Sequence, residues 1–217
     1  MAKTKSSYED NVFINCPFDP QYKSIFNAVV FAIHDAGFVA RCSLEVIDSG
    51  QTRLRKIISI IAECKYGIHD ISRTQASRKS NLPRFNMPFE CGLFWGSLEY
   101  GGGKHKSKRL LVLDSKPHRY QATLSDIAGQ DIQIHGDDAG KVIDRVRTWL
   151  RACSARADIP GGATIRQHYA LFQKQLPRML KQAGITRAEL ETLEYYPDYV
   201  TFIVEWLKEQ EARAKGK

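Results

Sequence analysis

RLLVLD, Arg109 to Asp114, decides the fold. Its core is an unbroken Leu-Leu-Val-Leu run between a cation and an acid. A strand with one wet face would alternate apolar and polar residues, whereas a continuous apolar strand is one covered on both faces. A sheet covered on both faces is usually parallel, with helices as its crossovers.

The flanking sequence supplies those crossovers. NVFINCPF (11–18) reads as a first strand ending in Pro-Phe-Asp. Asp19 is placed to cap the next helix, with Pro20 at its first position. Gln21–Ala36 repeats Tyr22, Ile25, Phe26, Val29, Val30 and Ile33 at helical spacing, and Gly37 ends it. Phe38–Val46 reads as a second strand and Gln51–Cys64 as a second helix. YGIHDIS (66–72) is a third strand. A polar loop then leads to the helix that begins within NMPFECGLFWG (86–96). After Arg109–Asp114 come a short helical stretch within 120–128, a weak fifth strand at 131–135 and an amphipathic helix over 138–155. The alternation predicts a flavodoxin-like doubly wound five-stranded parallel sheet, order 2-1-3-4-5.

IPGGAT (159–164) breaks the pattern. Two helices are expected after it, near 165–183 with a kink at Pro177, and near 187–208. The chain therefore divides at about residue 157 into an α/β domain and a C-terminal helical extension (158–217). The extension has too few apolar residues for a core of its own. It is expected to dock on the sheet domain or on a partner subunit.

The 217 residues carry a formal net charge of +8, scattered along the chain without a long block of one sign. Steering of an anionic small ligand accounts for that charge as well as nucleic acid would, and there is no base-reading motif with interleaved aromatics. No apolar run approaches the ~20 residues that cross a bilayer. The lysine-bearing N-terminus has no apolar segment behind it, so a cytoplasmic protein is expected. Five cysteines, odd in number and without a CxxC pair, are expected to be reduced and structural, with no metal.

In open α/β sheets the ligand sits beyond the carboxyl ends of the strands, where strand order reverses. That rule selects Asn15, Phe18 and Asp19 after the first strand, Asp70, Ser72 and Arg73 after the third, and Arg78, Arg84 and Asn86 leading to the third helix. The arginines suit a pyrophosphate, and Asn15 and Asp19 suit a ribose hydroxyl. Asp19 as a helix cap and the arginines as a solvated loop are the plainer alternatives. Asp114, His118 and Arg119 after the fourth strand are weaker candidates, and His69 reads as structural.

Glu90 stands out because Phe89, Leu93 and Phe94 surround it and no basic residue occurs from Met87 to Glu99. In the first turn of its helix it would favour the dipole, which is the plain explanation. The functional one is a carboxylate kept ionised by that dipole at the lip of a dry pocket walled by Phe89, Phe94 and Phe18. Such a group suits an oxocarbenium-like centre in glycosidic cleavage.

VFINCPFD followed by Tyr22, then HDIS, then NMPFECGLFWG resembles the superfamily shared by TIR-like domains and nucleoside 2-deoxyribosyltransferases, over about residues 11–150. The resemblance implies that Glu90 is the catalytic residue for an N-glycosidic bond, that Asp70 is the acid ending the third strand, and that Phe13–Asp19 lines the nucleotide pocket. Phe89, Asn86 and Ser72 fall in the same substrate-binding region. No Asp-x-Gly-Thr-like segment of the transferases is present, which favours the TIR-like branch. That branch implies NAD as substrate, with hydrolysis or cyclisation, no cofactor, a homo-oligomer, and bacterial immune or toxin systems. A non-catalytic TIR-like interaction module, using the C-terminal helices to hold a protein partner, is the alternative.

Overall fold

Arg109–Asp114 is indeed a strand, β4, and its four last residues are buried in the computed structural model. The structure describes residues 6–45, 48–74 and 83–216. Five parallel strands, β1 (Asn11–Asn15), β2 (Val39–Arg41), β3 (Tyr66–Asp70), β4 and β5 (Gln133–Ile134), lie in the order β2-β1-β3-β4-β5. The expected sheet order is the observed one.

Alternation along the strands sorts the helices onto two faces. Val12, Ile14, Tyr66, Ile68, Leu111 and Leu113 pack under α1 (Lys23–Asp35) and α4 (Ala139–Ser154). Phe13 faces the other way, onto Ile57, Ile60 and Ile61 of α2 (Arg53–Ala62) and Phe94 of α3 (Asn86–Glu99). Gly67 on β3 is where α3 comes closest, because a Cβ there would stand 2.7 Å from the Phe94 ring. Lys108 is buried, its ammonium donating to Ile61 O at 2.6 Å and Cys64 O at 2.5 Å beneath the Phe94 ring. It ties the end of α2 to β4, and burial pushes its pKa down to about 8.

Several boundaries differ from the sequence reading, each for a local reason. A 3₁₀ turn at Pro20–Tyr22 precedes α1. β2 stops at Arg41 in a 3₁₀ turn, Ser43–Glu45, and Val46 lies outside the described residues. β3 ends at Asp70, whose side chain accepts the Ser72 N–H at 2.8 Å and so turns the chain out of the ladder. The helix expected within 120–128 is two 3₁₀ turns. In the extension, α5 (Gly162–Ala183) is one helix with Pro177 inside it, as expected. The second expected helix is divided: a Thr186/Glu189 capping box starts the single turn α6 (Arg187–Leu190), and α7 (Tyr196–Lys215) begins anew around Pro197.

α1 explains why the extension exists. Eight of its residues, Ile25, Phe26 and Ala28–Ile33, are buried, so it is apolar around most of its circumference. The sheet covers one side; Phe172, Leu176, Ile203 and Trp206 of α5 and α7 join the same continuous core on the other. Trp206 is 1% exposed, with ring centroids of Phe31 and Phe172 each 5.9 Å away and its N–H donating to Gln175. His168 on α5 pairs with Asp35 of α1 at 2.9 Å, and the Tyr196 hydroxyl donates to Ala40 O of β2. Trp206→Ala should therefore cost ~3–5 kcal/mol. Thermal unfolding should show a Tm lower by roughly 6–20 °C; a loss under about 2 °C would mean that the extension is only loosely applied.

Candidate active site

The reversal of strand order falls between β1 and β3. Asn15, the last residue of β1, is 3% exposed. Its amide donates to Met87 O in the first turn of α3 at 2.8 Å and to His69 Nδ1 at 3.0 Å. Since His69 Nδ1 accepts, its hydrogen is on Nε2. Burial, with Lys108 nearby, pushes its pKa down to about 3, so the ring is neutral. His69 packs on Phe13 and Phe94 and is structural. Asn15 thus fixes the start of α3 against the crest of the sheet.

Glu90 rides on that helix start. It lies among the inward-facing residues Met87, Glu90, Cys91 and Phe94 and is buried. Among the described residues its carboxylate makes no hydrogen bond or ion pair. Two expectations are corrected here. Phe85 holds the N-cap position, so Glu90 is the fifth residue of the helix and the first turn carries no acid. The dipole acts mainly on the first turn, and burial outweighs it: the Glu90 pKa is raised, with the Arg53 guanidinium on α2 opposing the rise. The dry wall is also different. Phe89 is 54% exposed, and Phe94 lies beneath the site, stacked on Phe13. Phe18 is half-buried, edge-on to Phe26 of α1.

The remaining candidates separate into two groups. Asp19 and Arg84 are brought together, 2.6 Å apart, across the crest. Asp19 makes no capping hydrogen bond, contrary to the helix-cap reading. Asn86 is exposed, Arg73 half-buried and Ser72 buried. Asp70 turns to the α1 face, accepting from the Tyr22 hydroxyl at 2.6 Å, with His135 Nε2 2.9 Å away but out of hydrogen-bond alignment. His135 Nδ1 accepts from the Asp137 N–H, which leaves the ring hydrogen on the side of Asp70. Asp114 and Arg119 pair with each other; burial still raises the Asp114 pKa against that pairing. His118 stands at the tip of the loop with φ 60°. Arg78 lies outside the described residues.

Tyr22 and His135, which also belong to the crest, lie in stretches that the sequence singles out, whereas sequence reasoning missed Arg53. Position gave a signal for it, since Arg53 follows the Thr52 cap of α2. Cavity size does not locate the site. A cavity of about 590 Å³ opens beside β4, between Trp95, Leu110 and Trp149, and none of the crest candidates lines it. A second, about 410 Å³, lies between Ser43, Arg53 and Leu193, and Arg53 links it electrostatically to Glu90. We place the site at the crest on topology and on Glu90. Among the described residues no cluster of His, Cys, Asp and Glu could hold a metal ion, and no helix is long and apolar enough to cross a membrane. All five cysteines are free thiols.

No protein-family model matches the sequence, and comparisons with curated proteins and with solved structures found no match either.

A buried acid with a raised pKa works against folding at neutral pH. Below about pH 4.5 both folded and unfolded chains are protonated at Glu90. Above it the unfolded chain ionises first, so stability is lost as pH rises through the folded pKa. Glu90→Gln should therefore raise the Tm at pH 7, and the gain should vanish near pH 4. A Tm that falls at pH 7 would show that Glu90 has a stabilising partner.

Proposed function

We propose that the protein is an N-glycosidase that cleaves the nicotinamide–ribose bond of NAD, with Glu90 as its catalytic carboxylate. One observation carries this reading: a buried carboxylate at the strand-reversal crest, with no counter-charge in contact. Burying a charge without a partner is costly, and such cost concentrates at functional sites. A cationic nicotinamide riboside moiety would provide the missing positive charge and favour ionisation of Glu90 on binding.

The chemistry follows from that pairing. The C1′–N bond breaks with its electron pair passing to the pyridinium nitrogen, which neutralises nicotinamide as it leaves. No acid assistance is required. Positive charge moves to the ribose, where an ionised Glu90 stabilises it. Water then adds at C1′ and loses a proton, giving ADP-ribose; an internal nucleophile of the same nucleotide would give a cyclic product. Asn15 holds the helix that carries Glu90, and Arg53 favours its ionised form.

A second reading, a non-catalytic interaction module, is favoured by Phe85 and Phe89, which are 64% and 54% exposed on one side of the α3 start.

Concentrated protein incubated with NAD should release nicotinamide, and Glu90→Gln should lower the rate about a hundred- to a thousandfold. Activity should fall as pH drops through a value above the ordinary glutamate range, because the ionised form is required. Equal rates for the two proteins, or no release of nicotinamide by wild type, would leave the interaction module as the better reading.

A further inference from the structure

The crest is bridged by Arg84 and Asp19, from the segment before α3 and the segment after β1. The two partners are unequally held. The Asp19 side chain is 18% exposed and sits between Phe18, seated on Phe26, and Pro20. It is placed to cap the turn at 20–22 yet makes no such bond, so its carboxylate is turned toward Arg84 instead. The Arg84 side chain is 52% exposed and follows Pro83. Asp19 is the more enclosed partner, and Arg84 is the more exposed one.

We infer that Arg84 is the phosphate-binding group of this crevice and that Asp19 is its resting counter-ion, given up when a phosphate-bearing nucleotide enters. The inference rests on the crest being the ligand site, as the Glu90 reading has it. Arg84 meets Asp19 through one Nη2···Oδ1 contact, while a guanidinium can pair with a phosphate through two parallel N–H donors, so phosphate is the better-matched partner. A half-exposed ion pair shifts an equilibrium by at most about fivefold, whereas a guanidinium–phosphate contact contributes about tenfold or more. The exchange therefore runs toward phosphate. Released Asp19 then lies beside the ligand, where it can accept from a ribose hydroxyl and repel a second anion. The pair so arranged selects a phosphorylated nucleoside over a neutral one.

Calorimetric titration of the full chain with inorganic pyrophosphate at low salt tests this, with circular dichroism to check that each variant is folded. Wild type should bind. Asp19→Asn, which removes the competitor, should bind up to about fivefold more tightly, and Arg84→Gln about tenfold or more weakly. Nicotinamide mononucleotide should outbind neutral-tailed nicotinamide riboside on wild type, and that preference should collapse in Arg84→Gln. No binding by wild type, equal binding by Arg84→Gln, or no gain in Asp19→Asn would overturn the inference. NAD turnover is not read in these titrations. Cleavage that persists without Arg84-dependent binding sinks this inference alone, and Arg84-dependent binding without cleavage sinks only the Glu90 mechanism.

Discussion

The amide of Asn15 has two hydrogens and, in a buried position, must place both. One goes to the Met87 carbonyl and the other to His69 Nδ1. These two bonds join β1, β3 and α3 at the point where strand order reverses. Much of the site geometry depends on them. The His69 ring is held in one tautomer against Phe94, Phe94 stacks on Phe13, and Gly67 leaves the hollow into which that aromatic group descends. Because Met87 and Glu90 share the inward face of α3, fixing the first also fixes the second.

The two faces of the crest differ in how their charges are settled. On the α1 side, Asp70 is 1% exposed but has the Tyr22 hydroxyl and the Ser72 N–H, with His135 close by. On the α3 side, Glu90 is buried with no comparable partner among the described residues, and the Arg53 charge on α2 opposes its protonation without contacting it. Asp70 is satisfied within the fold, whereas the Glu90 carboxylate has no protein group in contact among the described residues and is the acid we propose meets a cationic ligand. This asymmetry is why the proposed reaction is assigned to Glu90 and not to Asp70, although both end up at the carboxyl edge of the same sheet.

Much of the fold was legible because burial on two faces leaves a plain mark. Leu110–Leu113 reads as a covered strand, and the structure gives β4 those residues and a partner on either side. The apolar spacing of α1 was equally clear, and its all-round burial is what makes the extension necessary. What the sequence hid depends on where a helix starts. Phe85 takes the cap position with no side-chain bond, so no capping residue announces the boundary. Moving the start by a residue or two moved Glu90 out of the first turn, and burial, which the sequence did not show, raises its pKa where the dipole was expected to lower it. The same move also rotated Phe89 outward, since residues 87, 90, 91 and 94 fill the inner face and 89 cannot join them. The Asp19–Arg84 pair was hidden for another reason. Each residue was visible as a candidate, but nothing local shows that two loops 65 positions apart meet across the crest.

The most direct measurement is the titration of the Glu90 carboxyl itself, followed by carbon NMR with Glu90→Gln to assign the signal. A midpoint above the ordinary glutamate value of 4.5, moving down when a nicotinamide nucleotide is bound, is the result expected of a buried carboxylate awaiting a cation. A midpoint at or below 4.5 in the free protein, unmoved by the nucleotide, would contradict it.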